Sequence, residues 1–143
     1  MKRYLRCRYC LIVFFCLLLT ACTVGKPPLE FSPDGEIVQK AIALQLANAE
    51  SQISQQLNTT KPTFTISQVR VDKIDPVFIE SLPSYHLQGT YNLQLNLSRQ
   101  EVLQKGNAFD LYLQRQVEGK TWRLLRRWVN GNDKPQWRSY LIQ

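Results

Sequence analysis

Reactive side chains are few in this chain of 143 residues. Its thiols stand at positions 7, 10, 16 and 22 and nowhere else, and His86 is its single histidine. Cys7 and Cys10 have the spacing of half a tetrahedral metal site, but such a site takes four ligands and these two stand alone, so no metal is expected. Beyond Cys22 neither a catalytic thiol nor a disulfide framework is available. Strand alternation places His86 on a polar sheet face, where it reads as a solvated surface histidine. Asp72, Asp75, Glu80 and Asp110 fall at strand ends or outer positions, without the pairing that acid–base catalysis requires. These residues point to no enzyme and to no cofactor.

Trp122-Arg123-Leu124-Leu125-Arg126-Arg127-Trp128 is the most unusual local stretch. Read flat it looks like a nucleic-acid platform, but period-two alternation splits it, with Trp122, Leu124 and Trp128 inward and Arg123 and Arg127 outward. Arg126 breaks the pattern by sharing a face with the tryptophans. It is a candidate to stack on an indole, or to hold an anion in a cleft lined by Trp122 and Trp128 between helix and sheet. Arg123, Arg127 and Arg138 form a candidate basic stripe for an acidic partner or an anionic surface.

The amino terminus carries an address. Lys2, Arg3, Arg6 and Arg8 precede an apolar core, Leu11 to Leu19, that ends at the small residue Ala21, the order of a secretory signal. The 11 residues from Leu11 to Ala21 would make a helix of about 16 Å, against a bilayer core of about 30 Å. A permanent spanning helix is therefore not expected. Leu19-Thr20-Ala21-Cys22 resembles a bacterial lipobox, in which a branched aliphatic and two small residues precede a cysteine. Phe15 disqualifies Cys16 from the same role. The resemblance implies cleavage between Ala21 and Cys22, a diacylglycerol thioether on Cys22 and acylation of the new amino terminus. Thr23, rather than Asp, favours the periplasmic face of the outer membrane in the enterobacterial sorting pattern. A cell-envelope location removes nucleic acid as a partner.

Removing residues 1–21 leaves 122, enough for one domain with one core. The net charge of +7 falls to +3, because the signal holds four basic residues and no acid. The remaining charge is uneven, with seven basic residues against two acids from Arg115 onward. The division expected is 1–21 signal peptide, 22–33 lipidated cysteine and short tether, and 34–143 a single α+β domain.

Ser32-Pro33-Asp34 predicts a helix start, with Ser32 as the cap and proline in the first turn. Val38, Ala41, Ile42, Leu46, Ala49, Ile53 and Leu57 recur at three and four, so the helix should run to about Asn58. The period then changes to two: Thr63 to Ile74 with a bulge near Ser67, Tyr85 to Leu97, Ala108 to Val117, Thr121 to Val129 and Trp137 to Ile142. Glu118-Gly119 reads as a two-residue hairpin that sets Arg115 opposite Trp122, Leu113 opposite Leu124, Phe109 opposite Trp128 and Asp110 opposite Arg127. One long helix packed on an antiparallel sheet of four to five strands is similar in order to cystatin-like domains and to the sheet of nuclear-transport-factor-like domains. The Gln-x-Val-x-Gly inhibitor motif of the first and the two additional helices of the second are absent. The expectation is a lipid-anchored envelope protein, non-enzymatic, docking another envelope component. A periplasmic carrier of a small ligand between helix and sheet is the first alternative, and a small nuclear-transport-factor-like enzyme the second.

Overall fold

The computed structural model describes residues 25–57, 63–96, 100–129, 131 and 135–143, and side chains of the helix as far as residue 51. The expected signal and Cys22 lie outside the described residues. A 3-10 turn, Leu29–Phe31, leads into helix α1, Gly35–Leu57. Five strands follow: β1 Thr63–Ile79, β2 Leu82–Asn96, β3 Glu101–Arg115, β4 Trp122–Trp128 and β5 Gln136–Ile142. They pair antiparallel in sequence order, a meander with the helix on one face.

Asp34, not Ser32, caps the helix. Its Oδ1 accepts the Ile37 N–H at 2.9 Å, the contact a cap makes to the third helical residue. Ser32 is extended and closes the preceding turn by donating its N–H to the Leu29 carbonyl. Sitting before proline, it is also biased away from helical geometry. Glu36 and Lys40 form an i,i+4 pair at 2.8 Å. Val38, Ala41 and Ile42 are buried and Leu46 packs beside them, whereas Ala49 is exposed. The expected stripe is thus packed in the first half of α1, and Ile53 and Leu57 lie outside the described side chains.

The long strands are bent by bulges. Gln68, at φ 50°, opens the first near Ser67 as expected, and further register shifts follow at Val71/Lys73 and at Tyr91/Leu93. Asn92 joins two of them: its Nδ2 donates to Gln68 Oε1 at 2.7 Å, and its Oδ1 accepts the Gly106 N–H at 3.0 Å. The sheet curls so far around the helix that Phe64 on β1 and Ile142 on β5 line one cleft with Ala43 and Ala47 of α1. Gln39 Nε2 donates to the Ile66 carbonyl at 2.9 Å, tying the helix to β1.

Strand β1 runs past its expected end through Pro76, which an edge strand tolerates because its missing N–H removes no ladder bond. The turn to β2 is Glu80-Ser81, with φ of 50° and 65°. That is the two-residue hairpin geometry that normally calls for Asn-Gly, which is why no turn signal stands there in the sequence. Between β3 and β4 the expected register holds at Arg115↔Trp122 and Leu113↔Leu124. The connection is wider than two residues: Gly119, at φ 73°, donates to the Gln116 carbonyl, and Gln116 donates to Thr121. The ladder stops at Tyr112↔Leu125, so the pairs Phe109/Trp128 and Asp110/Arg127 do not form. Beyond Leu125 the helix-side positions of β4 are Arg126 and Trp128, both exposed, and no apolar burial holds them to β3.

Residues 27–33, expected as tether, belong to the packed body. Pro27 and Pro33 are buried, and the Tyr85 hydroxyl donates to the Pro28 carbonyl at 2.7 Å. Burial of Tyr85 pushes its hydroxyl pKa up, which keeps this donor protonated. The Arg115 guanidinium lies 4.9 Å from the centre of the Phe31 ring.

Two substitutions test these constraints. A methyl at Gly89 would overlap the Arg70 carbonyl oxygen and stand 2.7 Å from the Phe109 ring; Gly89→Ala should therefore cost at least about 2 kcal/mol in urea unfolding. Replacing Glu80-Ser81 by Asn-Gly relieves two left-handed residues and should stabilise the domain by about 1 kcal/mol, read as a higher unfolding midpoint.

Candidate functional site

The sheet face turned away from α1 carries the densest set of polar and aromatic contacts. Register places Asp75, His86, Tyr112, Leu125 and Ser139 in one row across all five strands. The His86 ring stacks on Tyr112 at 4.2 Å and 2°, and Tyr112 meets Trp137 at 5.0 Å and 57°. Leu125 is buried on this same face. What alternation describes as a solvated row is, at this end of the sheet, an aromatic track over a buried leucine.

Asp110 grips the track from the next row. His86 Nε2 is 2.8 Å from Asp110 Oδ1, and Gln88 Nε2 donates to Asp110 Oδ2 at 2.8 Å. An ionised carboxylate only accepts, so His86 Nε2–H is the donor in this contact. The Gln88 bond, aided by His86, holds the Asp110 carboxyl below the usual range against a smaller opposing effect of burial. Asp75, directly opposite His86, bonds Lys73 at 2.7 Å, and that bond lowers its pKa. Both carboxylates around His86 therefore stay anionic at neutral pH.

A hydrogen-bonded histidine and aspartate invite comparison with a nucleophilic triad, but the row separates the parts. Ser139 lies three strands from His86, about 14 Å at the usual strand spacing. Its hydroxyl accepts from Arg123 Nε at 3.0 Å. The face therefore carries a stack of aromatic rings beside hydrogen-bonded charged side chains.

The four candidate arginines divide between the two faces. Arg123 and Arg127 share the face of the aromatic track, and Arg127 pairs with Trp137. Arg126 and Arg138 are opposite one another on the helix side. A single stripe of Arg123, Arg127 and Arg138 is therefore not formed, because Arg138 has the other parity. Arg138, rather than Arg126, lies over the Trp128 indole at 4.0 Å. Trp122 is buried against Tyr85, with ring centres 5.9 Å apart, while Trp128 is 44% exposed. The cleft expected between these tryptophans is replaced by core packing at one and solvent at the other.

Clefts between helix and sheet lie elsewhere. One of about 390 Å³ is lined by residues that include Gln39, Ala43, Phe64 and Ile66. Another of about 530 Å³ runs between Leu44 and Ala47 of the helix and Phe64 and Ile142 of the two sheet edges. Lys40 borders both and is paired with Glu36.

Sequence reasoning missed Tyr112, Trp137 and the contact of Asp110 with His86. Alternation alone puts His86, Asp110 and Tyr112 on outer positions. Aligning them needed the β2–β3 register, and the segment between Asn96 and Ala108 announces no tight turn.

The lowered Asp110 pKa sets a sign. Its bonds stabilise the fold above the unfolded carboxyl's value of about 3.9 and are lost as pH falls through the folded value below it. Asp110→Asn should lower stability at pH 7 by less than about 1 kcal/mol, as for other exposed pairs, and the difference in urea midpoint should shrink as the pH is lowered through the folded carboxyl's range. No protein-family model, no curated protein and no solved structure matches this chain.

Proposed function

We propose that this chain is a lipid-anchored protein of a bacterial cell envelope, cut between Ala21 and Cys22, whose α+β domain docks another envelope component without turnover. The observation that carries the reading is Leu19-Thr20-Ala21-Cys22 at the end of a basic-then-apolar leader. Two or three acyl chains make such an anchor durable, since each buried methylene contributes about 0.8 kcal/mol. Among the described residues no helix is long and apolar enough to cross a membrane. The likeness in element order to cystatin-like domains is one of shape and carries no activity with it.

The packing of residues 27–33 bears on how the anchored domain works. Only residues 23–26 separate Cys22 from the buried Pro27, a reach of about 14 Å when extended. A domain held so close cannot search far, so its partner must lie at the same membrane surface. The aromatic track of His86, Tyr112 and Trp137, flanked by Arg123 and Arg127, supports a docking face that favours an acidic neighbour. Retention at the periplasmic face of the outer membrane follows from Thr23 under the enterobacterial sorting pattern.

The 530 Å³ cleft favours a second reading, a carrier of a small apolar ligand between helix and sheet edges. It would not use Arg126, which is absent from the lining of that cleft. Intact mass of the protein from bacterial membranes, beside a Cys22→Ala variant, separates these readings. A product starting at Cys22 with added acyl mass, lost in the variant, is the expected result. A cleaved but unacylated product moves the carrier reading to first place, and an uncleaved chain overturns the anchor.

A further inference from the structure

Of the eight large apolar side chains most open to solvent among the described residues, four lie on pieces of chain that meet at one end of the molecule. Leu29 is 56% exposed, Phe31 45%, Phe78 42% and Val117 88%. They come from three separate pieces of chain: the 3-10 turn, the end of β1 and the β3–β4 loop. Hydrogen bonds hold these pieces together. Tyr85 fixes the turn through the Pro28 carbonyl. Gln114 Nε2 donates to the Ile79 carbonyl at 2.9 Å, beside Phe78. Arg115 reaches the Phe31 ring with one face of its guanidinium and donates from Nε and Nη2 to the Gly119 carbonyl, at 3.0 and 2.8 Å, in the loop that carries Val117.

Exposed apolar side chains brought together in this way are a feature of surfaces that contact a protein or a membrane. The charges near these pieces are of both signs, with Lys26, Arg115 and Lys120 beside Glu30, Glu80 and Glu118. The chain also leaves the domain here, since Gly25 is four residues before Leu29 and Cys22 is three residues before Gly25. A surface with exposed apolar side chains, charges of both signs and a place next to the acylation point fits the interfacial layer of a bilayer.

We propose that Leu29, Phe31, Phe78 and Val117 form a membrane-facing end that dips into the bilayer holding the Cys22 acyl chains, an inference that rests on the lipid-anchor reading. Each side chain alone would bind lipid weakly. The anchor removes the need for free encounter, so a few shallow insertions suffice to set orientation. The strands then rise from the membrane, and the aromatic track stands clear of lipid. Tyr112 is three residues above Arg115, about 10 Å along the strand.

The test uses the processed, acylated protein in phosphatidylcholine vesicles containing brominated lipid. A single environment-sensitive fluorophore is attached through Val117→Cys, or through Lys105→Cys as a control. Lys105 is exposed and ten residues back along β3 from Arg115, about 33 Å away. Quenching at 117 should exceed that at 105 by about twofold or more. It should persist when salt is raised to about 0.5 M. Adding Phe31→Ser and Phe78→Ser should reduce it while the protein still floats with the vesicles. Equal quenching at both sites on floating vesicles would overturn the inference and leave this end for a protein partner. Quenching at 117 that salt abolishes would also overturn it, in favour of an electrostatic contact with the headgroups in place of apolar insertion. Protein that fails to float removes the anchor reading and this inference with it.

Discussion

One helix has to cover one face of a five-stranded sheet. Four strand spacings span about 19 Å, whereas a helix with its side chains is about 10 Å across. A flat sheet would leave apolar residues of its outer strands in water. The sheet instead coils around α1, and the bulges in β1 and β3 supply the bend. Asn92 is the joint of this arrangement, because one amide satisfies Gln68 in one neighbouring strand and Gly106 in the other. Burial of Val38, Ala41 and Ile42 against Leu87, Leu111 and Leu124 follows from that curvature.

The coiling also explains why the two faces differ along their length. Near the start of β2 the outer face is tightly organised, with His86 and Gln88 locked to Asp110 and Tyr112 set between His86 and Trp137. Near the open end of the β4–β5 hairpin the ladder to β3 has ended, and Arg126, Arg127 and Trp128 stand exposed. Side-chain bonds to backbone are concentrated where the chain enters the domain: Tyr85 holds the Pro28 carbonyl, Gln114 the Ile79 carbonyl, and Arg115 the Gly119 carbonyl and the Phe31 ring.

Much of the architecture was legible because its cause is local. The period of α1, the alternation of β2 and the bulge near Ser67 follow from side-chain spacing, and the register that sets Leu113 opposite Leu124 follows from the hairpin at Glu118-Gly119 and from apolar pairing. The turn at Glu80-Ser81 was not legible, since neither residue has an intrinsic preference for positive φ and the surrounding strands impose it. Nor was the cap at Asp34, where the preceding 3-10 turn holds Ser32 extended. Of the candidate site residues, the parity of Arg123 and Arg127 was readable within one strand. That of Arg138 depended on the pairing with β5.

Taken alone, the sequence determines the basic-then-apolar leader with its Leu19-Thr20-Ala21-Cys22 ending, the absence of any later thiol, and the order of one helix and a meander, because each is written in neighbouring residues. Only the tertiary structure decided that Asp110 belongs to His86 rather than to Arg127, that Trp122 is core while Trp128 is not, and that Leu29, Phe31, Phe78 and Val117 share one end. Those outcomes depend on strand register and sheet curvature, which join residues tens of positions apart and leave no trace in local spacing.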